Sequence, residues 1–192
     1  MRLGHEQELD APRDVVWAHF MDLRRIGRCF PGAKVTEVDG DDFVGEIKAK
    51  LGPLSMYFDG TGSMVERDED AGRARLTASG QERHGLGRAT IDITLTLHPV
   101  DADGDDDRDG DRTRAHLVTD LVFLGFPMDF GTGLVQRASD PLIERFLTCM
   151  SVSGHVPDAE AEADDDSSLD LVRSATDLFG SLRRDRRERK RR

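Results

Sequence analysis

Residues 113–150 read TRAHLVTDLVFLGFPMDFGTGLVQRASDPLIERFLTCM, and their hydrophobic period changes part-way along. From Thr113 to Phe123 apolar and polar residues mostly alternate, the pattern of a strand with one dry face. Beyond Pro127 the period lengthens to about 3.6 residues. Phe130, Leu134, Ala138, Leu142 and Phe146 form one stripe, with Val135, Ile143 and Leu147 beside it, which predicts a long helix ending near Met150. Pro141 falls inside that helix and should kink it or leave one carbonyl without a donor.

Upstream, a short strand is expected over 4–9. Asp10 reads as a helix N-cap with Pro12 in the first turn, and Val15, Val16, Ala18, Phe20 and Leu23 give an amphipathic helix. A second short helix over 23–28 should stop before Phe30-Pro31-Gly32, a strong turn signal. Strand patterns follow at 33–39, 43–51, 54–66, 73–80 and 87–99, before the one at 113–123. The clearest alternation is Ala89, Ile91, Ile93, Leu95 and Leu97. Gly60 and Gly62 inside a strand suggest a bulge or sharp bend. One strand, two short helices, six antiparallel strands and a long helix make an α+β chain. A curved sheet around the long helix, with a cavity between them, satisfies that order.

The chain has 192 residues, enough for one domain at 1–150 followed by an acidic flexible linker at 151–168 and an amphipathic basic tail at 169–192. Eight of the last ten residues are Arg or Lys and two are acidic, so the decamer carries +6 on a chain of net charge -11. The strongly negative remainder argues against nucleic acid as the partner, as does the lack of aromatics among the tail arginines. Leu171, Val172, Leu178, Phe179 and Leu182 recur at helical spacing just before Arg183, Arg184, Arg186 and Arg187. An apolar stripe leading into a basic cluster is suited to an anionic membrane surface. No apolar run is long enough to span a bilayer and the start lacks a signal peptide, so a cytoplasmic protein is expected, peripheral on the inner face of the cell membrane. Cys29 and Cys149 have no metal-ligand spacing and are expected to remain two reduced, buried thiols.

Five segments carry a family resemblance: LDAPRDVVWAHFMD (9–22), CFPGA (29–33), IKAKLGPLSMYFDGTG (47–62), ASGQERHGLGRAT (78–90) and GFPMDFGTGLV (125–135). In this order they resemble the CoxG family, named for the G subunit of carbon monoxide dehydrogenase. It is a branch of the START-like, helix-grip (SRPBCC) proteins that bind small hydrophobic ligands. The resemblance covers residues 3–150. It implies a non-catalytic accessory protein that holds a hydrophobic molecule such as a quinone, and that recruits a molybdenum hydroxylase-type CO dehydrogenase to the membrane. Two departures stand out: the acidic insertion at 101–111, and Pro127 at the entry to the long helix. Polyketide cyclases and aromatases share this fold, so an enzyme using the same cavity is the alternative, and an adaptor with a closed cavity is a third reading.

The apolar residues expected nearest the cavity are Trp17, Phe20, Phe30, Phe43, Met56, Phe58, Phe130, Leu134, Ala138, Leu142 and Phe146. No catalytic residue is assigned, because no nucleophile elbow or Cys–His arrangement is legible. No metal is assigned either: the histidines are scattered, and Asp105, Asp107 and Asp109 begin a calcium-like loop whose twelfth position would be His116 rather than Glu. Glu82, with Gln81 and Arg83, reads as solvated rather than catalytic.

Overall fold

The computed structural model describes residues 1–51, 54–100, 112–126, 132–152 and 169–170. Its elements are β1 (Arg2–Leu9), α1 (Arg13–Met21), α2 (Leu23–Cys29), β2 (Ala33–Asp39), β3 (Asp42–Leu51), β4 (Leu54–Asp68), β5 (Arg73–Glu82), β6 (Arg88–Pro99), β7 (Thr113–Leu124), α3 (Thr132–Ser151) and β8 (Leu169–Asp170). β1 to β7 form one antiparallel sheet in the order β1-β7-β6-β5-β4-β3-β2. Strands β2 to β7 therefore follow one another as hairpins, while β1 pairs with β7 at the opposite edge from β2. The segment carrying α1 and α2 must cross the sheet to join those edges. This is the α+β helix-grip arrangement expected from the sequence.

Strand alternation sorts the sheet into two faces. His5 on β1 reaches Ser139 on α3 and Gln7 reaches Thr148, so the odd-numbered residues of β1 face that helix. Through the strand registers the same inner face carries Leu117 of β7, Leu95 of β6, Ala74 of β5, Met64 of β4 and Phe43 of β3. These join Val16, Trp17, Phe20, Leu23, Phe146, Leu147 and Met150 in one core.

The C-terminal half of α3 is the part held most firmly. Phe146 lies edge-on to Phe20 with centroids 5.7 Å apart, and tilted against Phe30 at 5.4 Å. The last carbonyls of a helix lack intrahelical donors. Here His19 Nδ1 meets the Met150 carbonyl at 2.8 Å, and the buried Arg25 guanidinium donates to the carbonyls of Cys149 and Val152. At the other edge the Gln136 amide bonds both the N–H and the carbonyl of Gly4, at 3.0 and 2.9 Å, serving β1 as a neighbouring strand would.

Several expectations are corrected. Cys29 and Cys149 are joined in a disulfide, not kept as separate thiols. Their Cα atoms lie 5.5 Å apart, within bridging range, because α2 packs on α3; a separation of 120 residues conceals this in the sequence. Glycines 60 and 62 mark no bulge, since the irregularities fall at Val35/Glu37 and Met64/Glu66. A Cβ on Gly60 would sit 2.5 Å from the Ser79 carbonyl oxygen, and one on Gly62 2.3 Å from the Phe43 ring, so close approach explains both. Asp10 does not cap α1, which begins after Pro12 with no side-chain cap. The cap of this type is Asp22, which accepts from the N–H groups of Arg24 and Arg25 at the start of α2. Pro141 does lie inside α3, as expected, and the helix continues on both sides of it. Leu169 and Asp170, expected to open the tail helix, instead pair parallel with Ala49 and Lys50 of β3, where that strand extends past the end of β2. The acidic insertion 101–111 and the remaining tail lie outside the described residues.

The anchoring of α3 predicts that Phe146→Ala costs about 3–5 kcal/mol, since it leaves a cavity between two rings. Losing the bridge through Cys29→Ser should cost about 2–5 kcal/mol when compared with the oxidised parent at the same pH. Urea unfolding of each variant checks this, and midpoints equal to the parent's would contradict it.

Candidate ligand site

The inner face holds two apolar groups of different character. Around Trp17, Phe20 and Phe146, at 6, 5 and 4% exposure, the core is closed, with Phe30 and Phe43 half-buried against it. Towards the far end of the sheet a second group forms from Ala49, Met56 and Phe58, flanked by the half-buried Ile47, Leu86, Ala89 and Phe126. Phe126 packs on Phe58 at 6.0 Å and on Phe123 at 5.3 Å. Between the two groups the inner face carries Gly60, Gly80, Ala78, Ile91 and Leu121, all half-buried and mostly small. Small side chains on a curved sheet leave depth, and aromatic rings at its end give an apolar wall.

The polar groups around the inner face mostly serve structural contacts, although the buried Nδ1 of His5 has no hydrogen-bond partner among the described residues. Glu82, read from sequence as solvated, is buried at 1% exposure at the end of β5. Its carboxylate accepts from the N–H groups of Tyr57, His84 and Leu86 and lies 3.0 Å from His84 Nδ1. It thereby closes the β5–β6 turn, a role visible only once the turn is built. Burial pushes its pKa up, but the His84 contact and the three backbone donors outweigh that, and the net shift is downward from 4.5. The neighbouring Arg83 is exposed, clamps Asp59 and Glu46, and lies over the Tyr57 ring at 5.7 Å. His5 contacts Ser139 (3.0 Å) and Asp140 (3.3 Å) through the same Nε2. A catalytic triad needs the carboxylate on the other ring nitrogen. Burial lowers the His5 pKa, with Asp140 opposing it. Among the described residues no group of three or more His, Cys, Asp or Glu is placed to hold a metal.

The outer face of the sheet has its own concavity, a trough of about 780 Å³ running from β2 to β7. Its floor carries hydroxyls such as Thr61, Ser63, Thr77 and Ser79, with Asp and Glu side chains at its margins.

Residues 5–153 match the family model that describes the G subunit of carbon monoxide dehydrogenase (CoxG). The chain belongs to the CoxG family. No curated protein matches its sequence. Among solved structures, this CoxG-family chain is similar to a conserved protein from Geobacillus kaustophilus, with a TM-score of 0.64 at 15% identity, covering 79% of this chain and 93% of that one. It is also similar to CV1439 from Chromobacterium violaceum, with a TM-score of 0.53 at 15% identity, covering 79% and 98%. A third is Mll3558 from Rhizobium loti, with a TM-score of 0.50 at 16% identity, covering 77% and 94%. At these identities the likeness establishes the fold.

The residues predicted for the CoxG-family cavity separate into two sets. Trp17, Phe20, Phe30, Phe43 and Phe146 gather in the closed core, and Met56 and Phe58 in the far group, while Leu142 is half-buried on α3. Phe130 lies outside the described residues, as do the side chains of Leu134 and Ala138 and all the predicted membrane contacts from Leu171 to Arg187. The predicted set does not include Ala78, Ala89, Ile91 and Phe126, which lie half-buried beside or between these groups. Ala89 and Ile91 belong to the clearest alternation in the sequence; Phe126 sits in a Gly-Phe-Pro stretch with no periodic signal.

A carboxyl whose folded pKa is depressed adds stability above its unfolded pKa and loses it as pH falls through the folded value. Glu82→Gln should therefore flatten the acid limb of the stability profile below about pH 4.5. Thermal melts across pH 2–6 check this, and an unchanged slope would show that folding does not lower the Glu82 pKa.

Proposed function

We propose that this protein is a non-catalytic accessory factor that holds a hydrophobic molecule of the quinone class against the inner face of its sheet. In this reading it brings a molybdenum hydroxylase-type CO dehydrogenase to the cytoplasmic membrane surface. The observation that carries the ligand half is the run of small, half-buried inner-face residues between a closed core and the aromatic group at Phe58, Phe123 and Phe126. Family membership supports the CO dehydrogenase partner. The accessory role is supported by the fate of Glu82 and His5, whose partners serve a turn and a strand–helix contact.

The membrane half rests on the tail. None of the described helices is long and apolar enough to cross a membrane, so attachment would be peripheral. Each basic residue near an anionic leaflet contributes about 1 kcal/mol. The net +6 of residues 183–192 thus offers several kcal/mol, with Leu178, Phe179 and Leu182 adding apolar area. Attachment of this kind is reversible and salt-sensitive.

Ala78→Trp should fill the space between the two apolar groups and weaken binding of a short-chain ubiquinone analogue at least about tenfold, roughly 1.4 kcal/mol. Fluorescence titration measures this, and unchanged affinity in a folded variant would remove the site from this part of the sheet. Co-sedimentation with anionic vesicles should fall at high salt and be lost when residues 171–192 are deleted. Equal pelleting of both chains would refute the membrane half.

A further inference from the structure

We propose that the outer-face trough is the docking site for the chain's own basic tail, residues 171–192, so that the tail is held on the domain when no anionic membrane competes for it. The trough runs across β2 to β7, and among the described residues no Arg, Lys or His lines it. Two of its carboxylates already have cationic partners: Asp92 is held by Arg75 at 2.8 Å and Asp120 by Arg2 at 2.7 Å. The unbalanced charge sits at the β2–β3 end, where Glu37, Asp39 and Asp42 converge. Asp42 accepts from Ser63, a contact that leaves its charge in place. Val44 and Val122, 40% and 47% exposed, add apolar spots to the same floor. A partner suited to this surface carries several cations and a few apolar side chains. The tail offers Arg183, Arg184, Arg186, Arg187 and Lys190 behind Leu178, Phe179 and Leu182.

Reach supports the same occupant. Asp170 is fixed beside Lys50 of β3, and Asp42 lies eight residues back along that strand, about 26 Å at ~3.3 Å per residue. Twenty residues separate Asp170 from Lys190. As a flexible coil they would have a typical end-to-end distance of about 22–27 Å. A tether whose average length matches the span presents its end at roughly millimolar effective concentration. Weak ion pairing is then enough to favour the docked tail, and an anionic bilayer would draw on the same arginines. Docking of this kind rests on the tail being the binding element of the proposed function, but its test does not depend on a membrane.

Lys190 is the one lysine of the tail, so carbodiimide coupling of the full-length chain, mixed as isotopically labelled and unlabelled copies, reports where the tail lies. The expected result is an amide between Lys190 and Glu37, Asp39 or Asp42 within one copy. Its yield should fall at least about fivefold at ~0.5 M salt, where the Debye length is only a few ångströms. It should fall similarly at low salt when Lys190 can still couple to Asp42 but Glu37→Gln and Asp39→Asn remove the neighbouring charge. Coupling of Lys190 mainly to the acidic linker, coupling only between copies, or no preference for the trough over other surface carboxylates would overturn the proposal. A chain that forms the trough crosslink yet ignores anionic vesicles would support the docking site and remove the membrane reading.

Discussion

The fixing of the C-terminal half of α3 is the constraint on which the rest of the molecule depends. Phe146 sits between Phe20 and Phe30, and the Cys29–Cys149 bridge ties the end of α2 to the same turn of helix. Arg25 and His19 supply donors to carbonyls that the helix leaves without partners. Apolar packing, a covalent link and side-chain capping thus act on one short length of chain. Together they lock the segment that joins the two edges of the sheet onto the helix the sheet surrounds.

An anchor at one end has consequences at the other. Once the helix is held near Phe146, the inner face of β3 to β6 beyond the core need not be filled by large side chains to keep the fold. Gly60, Gly80 and Ala78 occupy it, and the aromatic group at Phe58, Phe123 and Phe126 closes its far side. Under the proposed function, stability and binding are therefore placed in different parts of one layered core. Buried polar groups follow the same division: Glu82 and His5 are committed to local contacts, which leaves the intervening surface apolar.

Most of the architecture was legible because it rests on period. Alternation in Ala89 to Leu97 and the stripe of five residues at four-residue spacing from Phe130 to Phe146 need no tertiary information, and the order of elements follows from them. The features that escaped depend on residues distant in sequence. A disulfide across 120 residues requires knowing that α2 packs on α3. The burial of Glu82 requires the turn that brings the His84 and Leu86 N–H groups to it and the neighbouring strand that brings that of Tyr57. Glycines 60 and 62 stand out in the sequence, but their cause, the approach of the Ser79 carbonyl and the Phe43 ring, belongs to the neighbouring strands. The same limit applies to the proposed site, since periodicity ranks large apolar residues highly while the surface between the two apolar groups carries mostly small ones.

Amide hydrogen exchange of the full-length chain with and without a short-chain ubiquinone analogue tests the separation of anchor and binding surface. Ligand should slow exchange in the segments around Phe58, Ala78 and Ile91, while residues 146–150 remain as slow as before. Protection gained at 146–150 with none at those strands, or no change anywhere at saturating ligand, would contradict that separation.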